Sequence, residues 1–119
     1  MPVVKVWCLP DIGESRLNVL HQELVRAVKN VPELGVMSEN DMTCLFPSDM
    51  MKYGLGAEIV VEVTGLYEKP ERTEEVRQRL AQKLVEAVRG QFPDTDLIEC
   101  FINPFSPSQG FASSRKEGG

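Results

Sequence analysis

Two stretches of this chain repeat one another, and that repetition limits the folds open to it. Leu20, Gln22, Leu24, Val25, Ala27 and Val28 recur in order and spacing as Leu80, Gln82, Leu84, Val85, Ala87 and Val88. Each set is an apolar stripe at helical period. The segments ahead of them match as well, Val3-Val4-Lys5-Val6 against Val60-Val61-Glu62-Val63, both β-branched and strand-forming. Two matched strand-helix pairs imply a duplicated β-α-β unit, in which a helix carries the chain between parallel strands.

The remaining elements fill in around that frame. Residues 2–9 read as a first strand and Pro10-Asp11-Ile12-Gly13 as a turn. Ser15 is the expected N-cap of a helix ending near Asn30. A loop over 31–40 leads to a short strand, Met42 to Phe46, stopped by Pro47. A second loop, 48–57, precedes a strand from Ile59 to Thr64. Thr73 caps the second helix, with Glu74 and Glu75 against its positive end, and Pro93 breaks it. A fourth strand runs from Leu97 to Ile102, and a Ser/Pro/Gly-rich tail follows from Pro104. The expected fold is α/β (α+β): one domain over 1–112, built from units 2–47 and 58–104, with 113–119 as a flexible tail.

With strict alternation along each strand, Val4, Val6, Ile59, Val61, Val63, Ile98, Cys100 and Ile102 form one apolar face. Two helices cover that face of a four-stranded mixed sheet. The other face carries Lys5, Trp7, Glu58, Val60, Glu62, Glu99 and Phe101. Its aromatic residues favour burial against another subunit, and Lys5 would then pair with Glu62 or Glu99.

Composition excludes several functions. A net charge of −5 over 119 residues leaves no basic surface for phosphates, so no nucleic acid is expected. No apolar run reaches the roughly 18–20 residues that cross a bilayer, so no membrane partner is expected. Three widely spaced cysteines (Cys8, Cys44, Cys100) and a single His21 argue against disulfides and against a metal site, and point to a reducing cytoplasm. Core packing is expected for the cysteines, and a half-buried structural place for His21.

Pro2 is the residue with chemical potential. A small second residue permits removal of Met1, which leaves the proline nitrogen as a free secondary amine. An α-amino group titrates near about 7.7–8.0, and an apolar or cationic setting lowers that value. Such a base is matched to proton abstraction beside a carbonyl. The pattern as a whole resembles the tautomerase superfamily: Met-Pro ahead of an apolar strand, a double β-α-β unit, a long loop after the second strand, and the ending Gly110-Phe111.

The resemblance implies a homotrimer with a site at each subunit boundary. It also implies Pro2 as general base on a small, carboxylate-bearing enol or keto acid, with no cofactor. The carboxylate-holding arginines of single-unit members fall here near Ile12 and Thr43, neither of which is cationic. Arg16, Lys52 and Tyr53 are the candidate substitutes, Arg16 as a bidentate clamp and Lys52 as a point charge. Phe111 is the candidate pocket wall. The competing reading is a non-enzymatic ferredoxin-like module, which has the same element order but split β-α-β units. Against it stand the ten residues expected between the second and third strands, where that fold usually has a tight turn.

Overall fold

The computed structural model describes residues 1–48 and 57–116. Strands β1 (Val3–Trp7), β2 (Thr43–Leu45), β3 (Glu58–Tyr67) and β4 (Leu97–Phe105) form one sheet, with helix α1 (Glu14–Lys29) between β1 and β2 and helix α2 (Glu74–Gln91) between β3 and β4. The sheet order is β2-β1-β3-β4. β1 pairs parallel with β2, and β3 parallel with β4, while β1 and β3 run antiparallel at the centre. Two adjacent β-α-β units therefore meet back to back. In the split ferredoxin-like arrangement the two strands of each unit are separated by another strand; here they are hydrogen-bonded neighbours, which rules that topology out.

The expected apolar face is the buried one. Val4, Val6, Ile59, Val61 and Val63 are buried together with Leu20, Leu24, Val28, Leu80, Leu84 and Val88 from the helices. Cys100 and Ile102, near the sheet edge, are only partly covered. On the opposite face Trp7 and Glu62 are half-buried and joined by an indole N–H donating to Glu62 Oε1 at 3.3 Å, while Phe101 stays 52% exposed. Lys5 stands directly across from Glu62 in the β1–β3 register.

Several boundaries differ from expectation. The N-cap of α1 is Gly13, not Ser15: the Gly13 carbonyl accepts from Arg16 and Leu17 N–H at 3.1 Å each, and no side chain caps the helix. β1 stops at Trp7 because Cys8 takes a left-handed backbone, φ 70°, which cannot continue a strand. β3 runs three residues past Thr64. Gly65, at φ 71°, absorbs a register shift between Val63 and Leu66, and pairing then resumes with β4. β4 likewise passes through Pro104 to Phe105. An edge strand tolerates a residue without an N–H on its outer side, so the expected tail at Pro104 begins later.

The second helix follows the sequence closely. Thr73 accepts from Val76 N–H at 3.3 Å, and α2 ends at Gln91, ahead of Pro93. Between α1 and β2 the 31–40 segment is not plain loop. It makes two 3-10 turns, Pro32–Leu34 and Glu39–Asp41, the second closed by a capping box between Ser38 and Asp41. Among the described residues, no helix is long and apolar enough to cross a membrane.

Candidate active site

β1 begins one residue after Pro2, so the proline occupies the head of a central strand. Alternation places its ring on the helix side with Val4 and Val6, and it is buried. Its carbonyl accepts from Thr43 N–H at 3.0 Å, which locks the start of β1 to the start of β2. On the other flank lies the β3 bulge. A Cβ added to Gly65 would stand 2.7 Å from the Met1 carbonyl oxygen. Only a glycine therefore lets the chain start lie across β3 at this point. The Thr43 hydroxyl is 3.6 Å from the Met1 sulfur, as donor. While Met1 is attached, the Pro2 nitrogen is a tertiary amide without basicity; without it, the nitrogen is an amine held between β2 and β3.

The antiparallel β1–β3 pairing sends the end of β3 past the head of β1. That end carries an aromatic group. Phe111 packs edge-on to Tyr67 (ring centroids 5.4 Å apart) and to Phe105 (6.1 Å) while remaining 52% exposed. The structure thus brings Phe111 to Pro2's end of the sheet. The same end is braced by Arg72, whose guanidinium donates to the Tyr67 carbonyl at 2.8 Å and the Leu34 carbonyl at 3.1 Å. Arg79 pairs with Glu33 at 3.0 Å. The Glu33 carboxyl is held below its ordinary range, chiefly by a backbone hydrogen bond and further by Arg79.

Arg16 is elsewhere. It sits at the start of α1, beyond the C-terminal end of β1, with its guanidinium donating to the Gln91 carbonyl at 3.1 Å and lying 5.1 Å from the Phe92 ring centroid. Within one protomer it closes the end of α2, at the opposite end of the sheet from Pro2. Lys52 and Tyr53 fall outside the described residues.

Each helix also overhangs an edge strand. A groove of about 720 Å³ between α1 and β2 is lined by Asn18, His21, Cys44 and Phe46 among others. One of about 570 Å³ between α2 and β4 is lined by Gln78, Val85, Cys100 and Phe101 among others. Burial pushes the Cys44 thiol up to about 11 and the Cys100 thiol up to about 12. Both are therefore neutral and poorly nucleophilic at pH 7. Pro2 lines neither groove.

Thr43, Gly65 and Arg72 are the residues that sequence reasoning missed here. A glycine inside a β-branched run is a legible bulge signal, so Gly65 could have been found. Thr43 was passed over because a hydroxyl cannot replace an arginine against a carboxylate. Arg72 gives no local signal, because one of its two acceptors, the Leu34 carbonyl, belongs to a distant segment of the chain.

No family model and no curated protein matches the chain in sequence. Solved structures match it over nearly its whole length. A macrophage migration inhibitory factor from Toxoplasma gondii is similar at TM-score 0.68 and 15% identity, covering 95% of this chain and 97% of its own. A fused 4-OT, described as a symmetric trimer, matches at TM-score 0.65 and 18% identity, over 89% of this chain and 87% of its own. A member of the cis-3-chloroacrylic acid dehalogenase family matches at TM-score 0.69 and 10% identity, over 95% and 81%. The chain has the fold these proteins share, the tautomerase fold.

Proposed function

We propose that this chain is a cofactor-independent tautomerase of that superfamily, with Pro2 as its general base once Met1 is removed. The observation that carries the reading is the seat of Pro2: buried at the head of a central strand, tied to Thr43, beside the Gly65 bulge. With its ring packed on the apolar helix side, a secondary amine in such a place has part of its surroundings apolar, which disfavours its charged form and favours its use as a base near neutral pH. It takes a proton from the carbon next to the carbonyl of a small oxo acid. The C–H electron pair becomes the C=C bond, and the carbonyl pair moves to oxygen, giving the enolate, whose oxygen then takes a proton from solvent to give the enol. The reverse path returns the proton to carbon and regenerates the free amine.

Phe111, with Tyr67 and Phe105, walls the site on the substrate's apolar side. Arg16 cannot reach the same substrate within a protomer. It enters this reading only across a subunit boundary, as do Lys52 and Tyr53, as partners of the carboxylate. A homotrimer supplies such boundaries and covers the face carrying Trp7 and Phe101. A cytoplasmic setting, where thiols stay reduced, belongs to the same reading.

Intact mass of protein from native cells is expected to show a chain starting at Pro2, and light scattering a trimer. Ketonisation of phenylpyruvate or 2-hydroxymuconate is expected to be catalysed, and to fall by about 10²–10⁴-fold in Pro2→Ala with the trimer intact. A rate indifferent to that substitution would leave only a small oligomeric binding module.

A further inference from the structure

We propose that the Thr43 hydroxyl holds the substrate's oxo oxygen beside Pro2, in room that Met1 fills while it remains on the chain. The proposal rests on Pro2 acting as the base. It starts from where β2 points its side chains. Cys44 faces the α1 groove, so alternation turns Thr43 to the opposite face, with Val3 as its register partner. The backbone bond from Thr43 N–H to the Pro2 carbonyl, 3.0 Å, holds the start of β2 against the start of β1, and the Thr43 hydroxyl reaches the residue joined to the Pro2 nitrogen, Met1, rather than the proline ring on the other face.

The Met1 contacts outline the room. At one limit its sulfur accepts from the Thr43 hydroxyl at 3.6 Å, and at the other its carbonyl lies over Gly65, where no side chain would fit. Between them Met1 is covalently joined to the Pro2 nitrogen. Excision of Met1 therefore releases three things together: the amine, the hydroxyl that was spent on a weak sulfur acceptor, and a passage floored by glycine. An oxo acid entering there meets a base and a hydrogen-bond donor at once. Its apolar end then extends toward Tyr67, Phe105 and Phe111.

The chemistry suits a neutral donor. A hydroxyl is a poor grip for a carboxylate, but it donates well to an oxygen that gains charge during the reaction. Hydrogen bonds to charged acceptors are stronger than those to neutral ones, so the bond tightens as the enolate forms and acts on the chemical step. Thr43 is a positioning and oxygen-stabilising residue in this scheme, and carboxylate recognition falls to other groups.

The test uses the Met1-free full chain and phenylpyruvate as probe, followed by ketonisation rate and by NMR-detected binding. Thr43→Val keeps the shape and β-propensity of threonine and removes the hydroxyl. It is expected to lower kcat about tenfold with little change in KM, and Thr43→Ser to recover most of that loss. The titration of the Pro2 nitrogen, read by ¹⁵N NMR, should be the same in both variants. Pro2→Ala should lose turnover yet still bind the probe. Protein made with methionine aminopeptidase inhibited, so that Met1 stays, should not bind it.

Full kcat in Thr43→Val, with Pro2→Ala inactive, overturns the Thr43 assignment and leaves the base assignment standing. So does a Thr43→Ser variant as slow as Thr43→Val. Equal binding to the Met1-bearing chain refutes the shared room. A Met1-free chain that neither binds nor turns over phenylpyruvate removes both readings.

Discussion

The two β-α-β halves are built alike and equipped differently. Leu24 and Leu84 occupy matching places and both are fully buried, as are Val4 and Val61. The edge strands match too: Val4 registers with Cys44 and Val61 with Cys100, and both thiols are pushed up by burial. At the strand heads the likeness ends. The repeat sets Pro2 against Ile59, and the register sets Thr43 against Glu99. Ile59 lies within the chain, so its nitrogen is an amide and can never become an amine. Fusing two units keeps two cores but only one chain start. Packing can be duplicated by copying side chains; a chain start cannot.

The largest stability effect tests the duplicated part. Leu24→Ala and Leu84→Ala each delete a fully buried side chain from the helix-sheet interface, and each is expected to cost about 2–5 kcal/mol. Denaturant unfolding of the two variants should give similar losses in one transition. A large loss for one and a small loss for the other would mean that the halves do not share the core equally.

The helix starts give a smaller and unequal effect. The Thr73 hydroxyl oxygen accepts a hydrogen bond from Val76 N–H and so caps α2; α1 begins at Gly13 with no side-chain cap. Thr73→Ala should therefore cost about 1 kcal/mol. Ser15→Ala should be within error of zero, because Ser15 is exposed inside the first turn. Equal losses at the two positions would put a cap on Ser15 after all.

How much of this was legible in the sequence follows from the same contrast. Features set by periodicity were readable: both helices, the buried sheet face, the parallel pairing inside each unit and Thr73 as a cap. Pro2 stands out in the sequence by its place in the chain, and the fold shows that it is buried ahead of a central strand. Features set by contact between distant segments were not readable. Ser15 looks like a cap until the Gly13 carbonyl is seen to start the helix. Pro104 looks like the end of a strand until β4 proves to be an edge. Arg16 gives no sign in the sequence that the last carbonyl of α2 will accept from its guanidinium. Thr43 carries no motif, and its hydroxyl gains meaning only because β2 comes to rest against the first two residues of the chain.

A pH-dependent effect lies in the thiols, and it tests whether the two grooves are chemically equivalent. Cys44 and Cys100 ionise from 9.0 in the unfolded chain, and burial raises them in the fold to about 11 and about 12. The folded state thus binds these protons more tightly than the unfolded one. Their contribution to stability is fully present below about pH 9, is lost as pH rises through the two folded values, and is constant above them. Urea midpoints between pH 8 and pH 10.5 should therefore decline less in Cys100→Ala than in the unsubstituted chain, and Cys44→Ala should show a smaller relief because its shift is smaller. Alkylation of both thiols at pH 8 should be slow in the folded protein. Rapid labelling of Cys44 alone would show that the α1–β2 groove opens to solvent in a way its partner does not, and would break the equivalence at a place where both edge strands carry the same residue.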